Sequence, residues 1–233
     1  MDVPTHKLKQ HLFGARLCKT LYNVEVVPRK NTLIHRSKNS KNVYVVFAGT
    51  QKMSHWFNNF NVFLNDKGIH SGFKSFADEC HKELEQQIVE SIGTKKKTNL
   101  DNIDNVILIS HSLGASALII LLYEELMRNE RQIYTFKKNL LEVNIDIVMF
   151  GAPKSGDSNF KSDFNFLIRE YPNIKIYRYS IEHDLVNHFP PLKDYQHVCD
   201  EIPMYEQKRL VNIIYNHSLN NYIKNLKKLL IDR

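Results

Sequence analysis

Cysteine is scarce, and its placement is uninformative for cross-linking. Cys18, Cys80 and Cys199 are the 3 in a chain of 233 residues, far apart and without a CxxC spacing. An odd, dispersed set argues against a disulfide framework and suits a reducing compartment. Glycine is equally sparse at 8 residues, and with abundant Asn, Lys, Ile and Tyr this points to an AT-biased genome, such as that of a large DNA virus or a protist. Nowhere do about 18 uncharged apolar residues run together, so no transmembrane helix is expected. Met1 to Gly14 carries charges and lacks the apolar core of a secretory signal. A cytoplasmic location is the expectation. Internal repeats and disordered linkers are also lacking, so residues 1–233 are expected to form a single domain.

Apolar residues make up 42% of the chain and charged residues 24%, the balance of an ordinary globular protein. The formal charge is +7 and the pI about 9.2, which favours anionic partners. The lysines are scattered. Lys95-Lys96-Lys97 reads as a solvated loop. No finger, recognition-helix or aromatic RNA-binding signature accompanies the charge, so nucleic acid is not an expected partner.

Residues 6–22 read as an amphipathic helix with Leu8, Leu12, Ala15 and Leu17 on one side. Short strands are expected at Val24–Val27 and Thr32–Arg36, and a longer buried one at Asn42–Phe47. The segment 51–69 is irregular, with asparagines interrupting Trp56, Phe57, Phe60 and Phe63. After a helix over 72–92, strand 105–110, helix 114–128, strand 145–150, helix 158–170 and strand 174–180 alternate, and a final helix runs over 216–232. Such alternation, with near-continuous apolar strands, predicts an α/β fold with a mostly parallel central sheet flanked by helices.

At one joint of that alternation lies Ser110-His111-Ser112-Leu113-Gly114. The β-branched run Asn105–Ile109 precedes it, and Ala115–Leu126 follows at helical spacing. Strand, small-x-Ser-x-Gly, helix is the context of a nucleophile elbow. The turn is so tight that the backbones on either side of the serine nearly touch, which demands small residues at both flanks. It projects the Ser112 hydroxyl beside the positively polarised start of the helix.

A serine hydroxyl becomes a useful nucleophile when a positioned base takes its proton and an acid orients that base. Strand 174–180 delivers Glu182-His183-Asp184, which puts Asp184 just past a strand's C-terminal end, where such an acid belongs. Four histidines follow Ser112: His183, His188, His197 and His217. His217 begins the last helix and is far enough along for a separate loop to bring it over Ser112. His183 adjoins the acid and points away if Asp184 faces the site. His188 and His197 are alternative bases. An oxyanion hole needs a second backbone N–H besides that of Leu113, and the strand terminus Ala48-Gly49-Thr50 can offer the N–H and hydroxyl of Thr50. His183-Asp184-x-x-x-His188 also has ligand types suited to zinc or iron, but no further ligand cluster accompanies it, and no metal or organic cofactor is expected.

Further motifs follow in order. They are Phe47-Ala48-Gly49-Thr50 with Trp56, His70-Ser71-Gly72-Phe73, Ser110–Ala115, Phe150-Gly151-Ala152-Pro153 with Gly156 and Phe160, Asp184 with Pro190-Pro191, and Tyr195-Gln196-His197. Over roughly residues 40–220 the chain resembles the class 3 lipase family, α/β-hydrolases acting on acylglycerols and phospholipids. The resemblance implies Ser112 as nucleophile, Asp184 as acid, His217 as base, and Thr50 and Leu113 as the oxyanion hole; His197 matches a family histidine that is not the base. The chain departs from the family pattern at Ala48 (commonly arginine), Ser110 (glycine) and Asn216 (often aspartate). The family's lid would fall within residues 51–69, which are short and asparagine-rich here. The expected activity is serine esterase or lipase action on glycerolipid or phospholipid esters through an acyl-serine intermediate. The alternative is an inactive lipase-like fold kept as a lipid-binding or structural protein. The basic amphipathic segment Tyr222–Ile231 is read in two ways, as a contact for anionic membrane or as a surface helix packing its apolar stripe on the core.

Overall fold

A computed structural model describes residues 2–23, 30–38, 40–50, 63–93, 103–131, 143–204 and 216–233. The expected strand at Val24–Val27 and most of the candidate lid, including Trp56, Phe57 and Phe60, lie outside the described residues. Five helices are described: α1 (Thr5–Asn23), α2 (Ser71–Gly93), α3 (Leu113–Arg131), α4 (Ser158–Ile168) and α5 (Leu219–Ile231). The strands are β1 (Thr32–His35), β2 (Asn42–Phe47), β3 (Asn105–His111), β4 (Asn144–Phe150), β5 (Gly156–Asp157), β6 (Ile174–Ile181), β7 (Tyr195–Gln196) and β8 (Glu201–Met204).

Six strands form the main sheet in the order β1-β2-β3-β4-β6-β8. β1 pairs antiparallel with β2, and every other neighbour is parallel. β5 and β7 form a separate antiparallel ribbon. The strands expected as neighbours, 43–49, 105–110, 145–150 and 174–180, do lie side by side, the first ending at Phe47.

Period-two alternation feeds two cores, one on each face. Along β4, Ile145, Ile147 and Met149 join the core beneath α2, α3 and α4, which also holds Phe73, Leu118, Tyr123 and Phe160. Val148 and Phe150 join the opposite core with Leu8, Leu12 and Cys18 of α1 and Tyr222 and Leu226 of α5. Asp146, on that second face, is buried and satisfied by an ion pair with Lys7 of α1. Burial on both faces explains why β3 and β4 read as continuous apolar runs rather than alternating ones.

The edge strand β1 is held by two side chains of α2, Glu83 and Gln87, the latter accepting from the Ile34 N–H at 3.1 Å and donating to the Thr32 hydroxyl at 2.8 Å. Both Glu83 carboxylate oxygens accept hydrogen bonds from Asn31 and Thr32, with distances of 2.8–3.1 Å. β8 was not anticipated from the sequence. It is four residues long with Pro203 inside it, and proline in a strand is tolerated at a sheet edge, where β8 lies. The last helix starts later than expected, at Leu219, because Ser218 caps it by accepting from the Asn220 N–H. Among the described residues no helix is long and apolar enough to cross a membrane.

Candidate active site

Because β2, β3, β4 and β6 run parallel, their C-terminal ends share one edge of the sheet, where α/β folds place their sites. β2 delivers Gly49 and Thr50, β3 delivers Ser112, β4 delivers Gly151, and β6 leads to Asp184. His217 arrives at the same edge just before α5.

Ser112 has φ of 59° and is the one non-glycine residue with positive φ among those described. A left-handed serine between a strand and a helix is the strained turn of a nucleophile elbow. Its neighbours explain the small residues around it. A Cβ on Gly114 would fall on the Phe47 carbonyl, and one on Gly49 would lie 2.7 Å from the Ser112 Cβ and 3.1 Å from the Leu113 nitrogen. Thus Gly49 abuts the Ser112 turn and the start of α3, one residue before Thr50. The Ser110 hydroxyl, where the family has glycine, is buried and donates to the Val148 carbonyl at 3.1 Å. The extra hydroxyl is therefore accommodated with a partner.

Asp184 and His217 meet directly. The distances from His217 Nδ1 to Asp184 Oδ2 and Oδ1 are 2.8 and 2.9 Å, and both side chains are almost wholly buried. The Asp184 carboxylate also accepts from the Val186 N–H at 3.0 Å and from the Tyr222 hydroxyl at 2.6 Å. Burial alone would raise the Asp184 pKa, but these hydrogen bonds and the nearness of His217 outweigh it and hold the carboxyl below its ordinary range. With Nδ1 engaged by the acid, His217 Nε2 is the free end of the ring. It is buried and has no hydrogen-bond partner among the described residues.

Of the alternative bases, His197 is engaged elsewhere. His197 Nε2 lies 2.7 Å from the Asn187 carbonyl, and its pKa is pushed down to about 3, chiefly by burial. His188 is exposed at the end of the 3-10 turn Leu185–His188. The carbonyl of His183 accepts from Asn216 at 3.2 Å, which gives a role to the residue that replaces the family aspartate. Among the described residues no group of three or more His, Cys, Asp or Glu forms a metal-binding set.

Several contributors had gone unread in the sequence. Tyr222 appeared only as part of an amphipathic stripe, yet its hydroxyl is buried against Asp184. Gly151 has φ of 57°, and a Cβ there would lie 2.8 Å from both Asp184 Oδ2 and His217 Cε1. Its signal was the Phe-Gly-Ala-Pro motif after a strand, which marked a position without revealing that the acid–histidine pair leans on it.

The fold is shared with known structures. The fold is similar to that of the lipase from Rhizopus microsporus var. chinensis, with a TM-score of 0.61 and 22% identity over 87% of this chain and 75% of that one. Lipase II from Rhizopus niveus gives a TM-score of 0.61 and 19% identity, over 87% and 82% of the two chains. A triacylglycerol lipase described as having a serine protease triad at its catalytic centre gives a TM-score of 0.52 and 20% identity, over 77% of this chain and 63% of that one. No curated protein sequence matches the chain. The profile of the class 3 lipases matches residues 44–194, a span that runs from β2 through the elbow and Asp184 to the start of β7. The chain is a member of the class 3 lipase family.

Proposed function

We propose that this class 3 lipase hydrolyses acyl esters of glycerolipids or phospholipids by a metal-free, two-step acyl transfer through Ser112. Lipid ester hydrolysis comes with the family; the mechanism and the residue roles are the proposal. The observation that carries it is a buried Asp184–His217 pair with Nε2 unpartnered among the described residues, at the same sheet edge as the left-handed turn at Ser112. The triad described for the triacylglycerol lipase neighbour supports the same reading.

In the first step His217 Nε2 takes the Ser112 proton as Oγ attacks the ester carbonyl. Asp184 holds the Nδ1–H and stabilises the imidazolium without taking the proton itself. The backbone N–H groups of Leu113 and Thr50 receive the negative charge that develops on the carbonyl oxygen. Collapse expels the alcohol, which leaves with the proton from His217, and acyl-Ser112 remains. Water then attacks the acyl carbon with His217 again as base, releasing the fatty acid and restoring Ser112.

Ser112→Ala should lower kcat on a short p-nitrophenyl ester by about 10⁴-fold or more, with the thermal midpoint nearly unchanged. The same substitution should abolish labelling by a fluorophosphonate. Turnover at the parental rate in this variant would sink the assignment. An unlabelled, inactive parent would favour the reading of a binding protein on a lipase-like fold.

Contact with an anionic lipid surface is the second element of the proposal. The charge of +7 and the solvent-exposed Lys224, Lys227 and Lys228 of α5 support it. The substrate would then be met at a charged lipid–water interface.

A further inference from the structure

Tyr22 and His111 lie outside the triad, yet their polar atoms form one hydrogen-bonded chain between its two sides. The Gly49 nitrogen is 2.7 Å from the Tyr22 hydroxyl, which is 2.7 Å from His111 Nδ1. His111 Nε2 is in turn 2.9 Å from the His217 carbonyl. One assignment of hydrogens satisfies all three contacts. A carbonyl oxygen can only accept, so His111 Nε2 carries the hydrogen. The other nitrogen of the neutral ring then accepts, so the Tyr22 hydroxyl donates to it. The Tyr22 oxygen is left to accept from Gly49, whose N–H can only donate. A second proton on His111 would break this order. It would also set a cation against the His217 ring, which stacks on His111 with centroids 4.7 Å apart. Burial above all, and then the nearness of His217, push the His111 pKa down to about 3.

We infer that Tyr22 and His111 are positioning residues that hold the oxyanion-side turn and the backbone of the triad histidine in fixed register about Ser112. The inference rests on the reading of Ser112 and His217 given above. Each end of the chain lies one residue from, or on, a group in that reading. Gly49 precedes Thr50, His111 precedes Ser112, and the accepting carbonyl belongs to His217 itself. Asp184 holds the His217 side chain at Nδ1, a contact that does not by itself fix the backbone from which the ring extends. The bond to its carbonyl supplies a second point, and the two together set where Nε2 lies. Tyr22 comes from the last turn of α1, so the register is referred to a helix packed on the sheet and not to a loop. Misplacement of a reacting group by about 1 Å can cost on the order of a hundredfold in rate, which is the scale of effect such a chain would protect.

Three substitutions test this, measured as kcat and KM on a soluble short-chain ester. Tyr22→Phe keeps the ring, which sits edge-on to His111 at 5.5 Å, and removes both hydroxyl bonds. His111→Phe removes the remaining links. His111→Gln restores one acceptor and one donor on a side chain of similar reach. We expect kcat to fall roughly tenfold in Tyr22→Phe and up to about a hundredfold in His111→Phe, with KM within about twofold of the parent because substrate binding is untouched. The double variant should be no slower than His111→Phe alone, since a chain broken once is already broken. His111→Gln should recover most of the rate. Fluorophosphonate should still label each variant to completion at Ser112, more slowly but with the same endpoint. Parental kcat in both phenylalanine variants would overturn the inference, and so would losses that multiply in the double variant or a change confined to KM. If His111→Phe does not fold, Tyr22→Phe against His111→Gln decides: the inference stands only if the first is slow and the second near parental. Turnover by Ser112→Ala would instead bring down the reading of the site itself, whereas an inactive Ser112→Ala beside fully active Tyr22 and His111 variants would remove the positioning role alone.

Discussion

Tyr222 shows how much one hydroxyl can govern at the residue scale. It donates to Asp184 at 2.6 Å from a wholly buried position, and burial together with the adjacent carboxylate drives its own pKa well above the ordinary value. It therefore stays a donor across the working range of the enzyme. A hydrogen bond to a charged, buried acceptor contributes about 1.5–3 kcal/mol. Removing it leaves the carboxylate less well held, raises its pKa and loosens its grip on His217. Tyr222→Phe should thus cut kcat by roughly ten- to a hundredfold at neutral pH, with the ring still filling its place between Phe150 and His111. Steady-state kinetics beside a thermal melt would check this; a variant as fast as the parent would mean that the His217 and Val186 contacts alone suffice to orient Asp184.

At the scale of elements, α5 turns most of its apolar residues inward, with Ile231 at its end left exposed. Leu219, Tyr222, Ile223 and Leu226 are buried and join the core shared with α1, so the main part of its apolar stripe is occupied by the fold. Lys224, Lys227 and Lys228 face solvent. Docking through this face of the helix would therefore be mainly electrostatic. Each lysine near an anionic surface contributes about 1 kcal/mol, so replacing all three by glutamine should weaken binding to phosphatidylserine vesicles on the order of a hundredfold. Because the attraction is screened over about 8 Å at physiological salt, co-sedimentation should fade as salt rises; equal binding to neutral and anionic vesicles would refute it. The same helix marks where sequence reading succeeds and where it stops. Its amphipathic spacing was legible, as were β2, β3, β4 and β6, because burial on one or both faces leaves a periodic trace. β8 left none, since four edge residues with a proline need pair on one side only. The elbow and Asp184 were legible because strand ends and small residues announce tight turns. Among the four histidines the residues alone left alternatives open, because the Asp184–His217 contact joins parts of the chain whose spacing says nothing of their approach; the family resemblance pointed to His217. Tyr22 and His111 were hidden for the same reason: their roles exist only through three non-local hydrogen bonds.

For the molecule as a whole, buried neutral histidines set its response to acid. Burial is the foremost cause that lowers the pKa of His11, His111 and His197 to about 3 and that of His70 to about 4. In the unfolded chain each would titrate near 6.5. Below that pH the unfolded state binds more protons than the folded one, so stability falls as pH falls, and the loss continues until the folded histidines themselves titrate near pH 3 to 4. Each such group removes about 1.4 kcal/mol per pH unit in this window, and four together about 5 kcal/mol per unit. A fold stable by about 5–15 kcal/mol at neutral pH would be exhausted within roughly one to three units below 6.5. Asp184 acts in a lower window: its depressed pKa stabilises the fold above the ordinary carboxylate range, and that contribution disappears only as pH falls through the folded value. Acid unfolding should accordingly begin well above the carboxylate range, with a midpoint above about pH 3.5. Unfolding at pH 5.5 should take up about three to four protons from these histidines. Denaturation by urea in a weakly buffered solution, followed by pH-stat, measures that uptake directly. Uptake of less than one proton would show that the four imidazoles are already charged in the folded protein, and would sink this account of its acid stability.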